Sequence, residues 1–274
     1  VIGTRWPQKP PVGTAIDWSR GLAQGLRAFY ALNEGTGPYA ADAARGGVAL
    51  TWQEPAVSWG VGPRGVVGTF LDGVNYAATT GSPLSVGQPF SVAFRIYTSQ
   101  ASATSAGLVS IGATATNNQP LYLFQQSGSA LRVLLGGIAY VTIIPSVVAG
   151  QWYTISSSWD GATEAHYVDG VLSYSGARSL GTVQTPPKLV VGAGYNSIGK
   201  GGIEWVGVWT RALTAPEHAR LGGDLGAAWR IFAPQRDVIR SYSTTIGTGV
   251  SYPRGSSILR PVQLPTTDLT CYLD

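Results

Sequence analysis

His166-Tyr167-Val168-Asp169-Gly170-Val171 decides the fold of this chain. Asp-Gly between apolar residues is a strong hairpin signal, because a type I′ turn needs positive φ at both central positions. The stretch reads as a strand, a two-residue turn and a return strand running to Tyr174. Phe70-Leu71-Asp72-Gly73-Val74 repeats the same grammar earlier in the chain. Asp72, Gly73, Asp169 and Gly170 are therefore read as turn residues that set strand register.

Outward from that hairpin, strand patterns recur at short spacing. They cover Leu26–Leu32, Val66–Leu71, Phe90–Thr98, Leu108–Ile111, Leu121–Phe124, Leu131–Leu135, Tyr140–Ile144, Trp152–Trp159, Lys188–Val191 and Ile203–Trp209. Phe90, Val92, Phe94 and Ile96 share one face, the period of a half-buried strand. One helix interrupts the series. Thr214-Ala215-Pro216-Glu217 reads as a capping box and Gly222-Gly223 as the stop, giving about two turns through His218 and Leu221. Many short strands between turn residues predict an all-β antiparallel sandwich with one short helix. Pro7, Pro10 and Pro11 make residues 1–24 an extended N-terminal arm, which needs its own domain or a neighbour to lie against. Residues 25–229 form the sandwich. Residues 230–274, rich in Ser, Thr, Gly and Pro, are read as a C-terminal extension with a strand near Asp237–Tyr242.

Composition removes several function classes. The net charge is +4, with no Lys/Arg run, so nucleic acid is not an expected partner. No stretch approaches the ~20 apolar residues of a membrane span. Cys271 is the single cysteine, so no intrachain disulfide forms. Val1–Pro11 lacks the apolar core of a signal peptide, which points to synthesis in the cytoplasm. The 9 tryptophans read first as packing residues, and where exposed as platforms for sugars or a partner.

The chemistry motifs are sparse. Gly60-Val61-Gly62-Pro63-Arg64-Gly65 spells Gly-x-Gly-x-x-Gly, but Pro63 sits inside it and the strand-like Val66-Val67 follows. A dinucleotide fingerprint opens a helix. His166 and His218 are the only histidines, and no Gly-x-Ser-x-Gly accompanies them. His166 reads as a structural residue of a core strand. Two His and one Cys without paired spacing do not make a zinc site.

Six motifs in order resemble the laminin G-like, concanavalin A-like jelly-roll family. They are Gly25–Phe29 with Asn33-Glu34-Gly35-Thr36-Gly37 and Asp42; Phe70–Tyr76; Pro89–Phe94; Gln151-Trp152-Tyr153 with Trp159-Asp160-Gly161; Tyr167-Val168-Asp169-Gly170; and Gly202–Val206 running to Arg211–Glu217. Glycosidases on this scaffold use closely spaced acids, typically Glu-x-Asp-x-Glu. The 14 acids here are scattered, so no catalytic residues and no enzyme activity are expected. Relatives often hold Ca²⁺ at the rim, which makes Asp72, Asn75 and Glu204 the calcium candidates; no other cofactor is implied. The arm running into Ile16–Leu26, and Trp229-Arg230-Ile231-Phe232-Ala233-Pro234, are similar to flanks of tailed-bacteriophage virion proteins. That resemblance implies a structural subunit of the virion, a capsid decoration or fibre-type protein. It would form a homo-oligomer and attach through its arms to other virion proteins such as the major capsid protein. Arg5, Trp6, Trp18, Trp229 and Phe232 are its interface candidates. The alternative is a carbohydrate-binding module recognising surface glycans, and the two are compatible.

Overall fold

The computed structural model describes residues 9–44, 47–53, 59–70, 76–101, 103–112, 120–137, 139–183, 188–194, 197–198, 200–224, 226–233, 245–246 and 250–251. Arg5, Trp6, Asp72, Gly73 and Asn75, and the strand expected at Asp237–Tyr242, lie outside them. The chain divides into two compact units. One is Trp6–Ala233; the other joins Val1–Arg5 to Pro234–Asp274.

In chain order the strands are β1 (Leu26–Tyr30), β2 (Tyr39–Ala40), β3 (Leu50–Gln53), β4 (Trp59–Gly62), β5 (Gly65–Phe70), β6 (Tyr76–Thr79), β7 (Phe90–Thr98), β8 (Ala103–Gly112), β9 (Tyr122–Gly128), β10 (Ala130–Leu135) and β11 (Ala139–Ile144). They continue with β12 (Trp152–Trp159), β13 (Thr163–Val168), β14 (Val171–Ala177), β15 (Lys188–Val191), β16 (Ala193–Gly194), β17 (Ser197–Ile198), β18 (Gly201–Trp209), and, in the C-terminal unit, β19 (Thr245–Ile246) and β20 (Val250–Ser251). Helix α1 spans Ala215–Gly223. The first sheet runs β14-β13-β12-β7-β18-β5-β4, with β1 also paired to β18. The second runs β11-β10-β9-β8-β15-β6-β3-β2. Every pairing is antiparallel, so the sandwich read from the sequence is the fold observed.

Strand alternation makes the core. Phe90, Val92, Phe94 and Ile96 of β7 point between the sheets, where they meet Phe124, Leu131 and Val133 from the opposite sheet. The intervening Ala93 faces outward into a second apolar cluster. That cluster is a third layer. Ile16 and Leu22 from the N-terminal segment, Leu221 of α1, and Trp229, Ile231 and Phe232 beyond it cover the outer face of the first sheet, which adds Leu26 of β1 to the cluster. The two flanks meet there: Ile16 bridges Phe232, and the Asp17 amide donates to the Ile231 carbonyl at 2.7 Å. From residue 9 onward the arm thus lies on its own domain.

The hairpin that decides the fold has the geometry its sequence requires. Asp169 and Gly170 have φ of 48° and 81°, both in the left-handed region a type I′ turn demands. The Asp169 carboxylate accepts from the Thr154 amide at 2.7 Å, and the Asp169 amide donates to the Thr154 carbonyl at 2.8 Å. The turn is thereby fastened to β12. The formal Gly-x-Gly-x-x-Gly stretch is the β4–β5 hairpin, with Pro63 and Arg64 in its turn. In α1 the Glu217 carboxylate accepts from the Thr214 amide at 2.9 Å, which is the returning half of the capping box. The Thr214 hydroxyl also donates to that carboxylate at 3.0 Å. Arg211 grips the same group at 2.6 and 2.8 Å.

Candidate functional site

Three groups of polar side chains stand out among the described residues, and one of them carries an exposed tyrosine. Cross-strand register carries one row over the outer face of the second sheet, from Tyr39 at one edge to Tyr140 at the other. Both end residues are exposed, at 58% and 42%. The middle of the face is covered by the β16–β17 hairpin, where Ser110 donates to the Ala193 carbonyl at 3.4 Å. At the Tyr140 end, Arg132 lies opposite both Gln125 and Thr142. Its guanidinium sits 4.6 Å from the centre of the Tyr140 ring, and the Tyr140 hydroxyl donates to the Gln125 carbonyl oxygen at 3.4 Å. The Arg132 Nε is buried and makes no hydrogen bond. Three strands thus build one amphipathic patch, a ring and a cation at its surface and the buried Gln125 amide beneath, at 3% exposure.

A second group lies inside the sandwich. The Glu164 carboxylate is 3.2 Å from His166 Nε2, His166 Nδ1 is 3.0 Å from the Ser157 hydroxyl, and that hydroxyl is 3.2 Å from the Tyr122 hydroxyl on the opposite sheet. Arg178 donates to the other Glu164 oxygen from Nε and Nη2, at 2.8 and 2.5 Å. Burial pushes the Glu164 carboxyl up, but the hydrogen bonds from His166 and Arg178 and their charges outweigh it and hold it below its usual range. A serine, a histidine and a carboxylate in line have the connectivity of a hydrolase triad. Ser157, His166 and Glu164 are at most 1% exposed, however, and Tyr122 closes the serine end. No substrate can approach, so the line ties the two sheets together.

The other histidine is also buried. His218 on α1 lies between two hydroxyls on the outer face of β12, Ser156 at 2.8 Å from Nδ1 and Ser158 at 3.2 Å from Nε2. Tyr167 stacks on it with centroids 4.1 Å apart. Burial pulls His218 down to about 4, against the opposing field of Glu217. The unfolded chain titrates near 6.5, so between those values it binds the extra proton, and stability falls as pH drops through that window. From pH 7 to pH 5, this residue is expected to remove about 2 kcal/mol. Urea unfolding of wild type and His218→Gln at both pH values checks this, because the Gln variant should lose that much less.

The third group surrounds Glu204. Its carboxylate is fully buried and its pKa is raised by desolvation, partly offset by Arg95, Lys9 and Arg64. Arg95 Nε is 3.2 Å away. Lys9, on the N-terminal segment, directs its ammonium at the Glu204 backbone carbonyl. Side-chain cations therefore occupy the surroundings of this calcium candidate. Among the described residues, no three His, Cys, Asp or Glu side chains form a metal cluster.

Of the interface candidates in the described residues, Trp229 and Phe232 are inside the third layer, packed edge-on against Phe29 at 6.1 and 5.5 Å. Trp18 is partly buried against the same cluster. The chain's own core accounts for these rings without a partner. The sequence reading missed Tyr140, Arg132, Gln125 and Lys9. The alternation of β10 and β11 was available to place the first two on one face; Lys9 carried no pattern.

The family model of the concanavalin A-like lectin/glucanases superfamily matches residues 71–217. No curated protein matches the chain. Among solved structures, domain 4 of an extracellular arabinanase from Geobacillus stearothermophilus, in complex with arabinotriose, superposes with a TM-score of 0.55 at 16% identity, covering 72% of this chain and 98% of that one. Trypanosoma rangeli sialidase in complex with sialic acid gives 0.57 at 16% identity, over 77% of this chain but 34% of the sialidase. A botulinum neurotoxin type C structure, whose cell entry depends on two ganglioside molecules, gives 0.57 at 10% identity, over 82% of this chain and 56% of that one. At these identities the likeness is one of fold. With more than half its length matched by the family model, the chain belongs to the concanavalin A-like lectin/glucanases superfamily.

Proposed function

We propose that this protein is a non-enzymatic carbohydrate-binding module, that Tyr140 and Arg132 form its sugar platform, and that the buried Gln125 positions the Tyr140 hydroxyl. The observation that carries the reading is the exposed Tyr140 ring with the Arg132 guanidinium over it. A sugar presents an apolar C–H face and a rim of hydroxyls. A tyrosine ring suits the first, and the N–H donors of a guanidinium suit the second. The arabinanase domain bound to arabinotriose has the same fold, which supports a glycan as ligand. Isothermal titration against a panel containing arabinotriose, sialylated oligosaccharides and bacterial surface polysaccharides tests it. One member should bind, Tyr140→Ala should weaken that binding about tenfold, and Tyr140→Phe should largely keep it. Failure of the whole panel, or an unchanged affinity in Tyr140→Ala, overturns the reading.

A second reading, a subunit of a bacteriophage particle, is supported by the division of the chain into two units, one of which joins Val1–Arg5 to Pro234–Asp274. Terminal segments of that kind suit attachment to neighbouring virion proteins. A chain ending at Ala233 should then fold but fail to join particles; normal incorporation would sink this reading.

A further inference from the structure

Strand β18 changes partner along its length. Gly201–Ile203 pair with β5, whereas Val206–Trp209 pair with β1. The register against β7 shifts between Ile203 and Trp205, so Glu204 lies at the split. Just beyond β1, Leu32 adopts a φ of 50°, an unusual conformation for a branched residue. Ala31 and Leu32 follow the last residue of β1, and Val66 belongs to β5, the other partner of β18.

The Lys9 ammonium fills the gap. It donates to the carbonyls of Ala31 at 2.7 Å, Leu32 at 3.0 Å and Glu204 at 2.6 Å, and also to that of Val66. An ammonium has three protons, yet four carbonyl oxygens converge on it. The buried Glu204 carboxylate, neither oxygen of which makes a hydrogen bond, adds a negative charge beside the cage. Such an arrangement resembles the coordination shell of a cation more than a set of paired hydrogen bonds. Its charge selects the ion. Calcium seeks several negative ligands. The four converging oxygens belong to neutral carbonyls, and the neighbouring Glu204 carboxylate already has Arg95 at 3.2 Å. Cages of backbone carbonyls replace the hydration shell of potassium.

We propose that the carbonyls of Ala31, Leu32, Val66 and Glu204 form a site for a potassium-sized monovalent cation, and that Lys9 is its built-in occupant, holding the N-terminal segment on the sandwich. Asn33 supports the same docking by donating from its amide to the Pro10 carbonyl at 2.5 Å. This site is distinct from the Tyr140 platform and does not depend on it.

Lys9→Met keeps the stem and removes the charge. At pH 6 its Tm should fall by about 5–10 °C in lithium chloride. Potassium or ammonium chloride at equal ionic strength should restore at least half of that loss, while wild type should show no such preference. An unchanged Tm in Lys9→Met, or equal recovery in lithium and potassium, overturns the proposal. If the variant does not fold, the wild-type amine itself is the probe. Brief acetylation read by mass spectrometry should label Lys9 much more slowly than Lys188 or Lys200, and equal labelling refutes the cage.

Discussion

Gly222→Ala should cost on the order of 3 kcal/mol and lower the Tm by several degrees, although it exchanges one small residue for another in a helix that ought to favour alanine. The reason is the contact between α1 and the turn that decides the fold. A Cβ at Gly222 would overlap the Gly170 amide nitrogen and the Asp169 carbonyl carbon. Both are backbone atoms, and neither can yield without moving the turn. The turn is held in its turn by Asp169, bonded to Thr154 through both its side chain and its amide. From the other side, a Cβ on Gly170 would meet the Ala219 carbonyl at 2.8 Å, and its φ of 81° already penalises any side chain. Denaturant unfolding should place Gly222→Ala and Gly170→Ala well below wild type. Gly223→Ala, at a position open to space, should lie within about 0.5 kcal/mol of it. If all three variants were equally stable, the close approach of helix and turn would be refuted.

The same turn shows what could be read from sequence and what could not. Asp-Gly between apolar residues demanded positive φ at both positions, a local requirement, and local requirements are legible. So were the long alternating strands, whose period of two is set by the pleat. Strands β2, β3, β4 and β6 escaped because two to four residues, several of them Gly, Ala or Thr, cannot establish a period. The N-terminal flank was read as an arm needing its own domain or a neighbour, and Trp229 and Phe232 as interface candidates. They are contact residues, but their surface is the back of the first sheet. Nothing in the order of residues distinguishes an intramolecular third layer from an intermolecular one. The Lys9 cage was invisible for a deeper reason. Its walls are main-chain carbonyls, which every residue possesses, and only the change of partner along β18 brings them together. The Tyr140 patch falls between these cases: each strand was expected, but the pairing of β10 with β9 and β11 was needed to set Gln125, Arg132 and Tyr140 side by side.

Glu164→Ala is expected to destabilise the protein by about 3–5 kcal/mol, the usual consequence of removing one member of a buried charged network. Alanine would strand the Arg178 guanidinium, now donating twice to one oxygen, and would free His166 Nε2 from its only hydrogen-bonded partner among the described residues. The effect should spread beyond the local pair. His166 sets the Ser157 hydroxyl, which in turn meets Tyr122, so the line joins β13 and β12 to β9 across the core. Removing Arg178 alone should cost less, because its side chain is 11% exposed and water can replace part of what it supplies to Glu164. A double-mutant cycle of Glu164→Ala with Tyr122→Phe separates two roles. If the line acts as one network, the two losses should be non-additive by 0.5 kcal/mol or more despite the residues not touching. Strict additivity would mean that each end is satisfied on its own, and that the resemblance to a serine, histidine and acid line is only one of order.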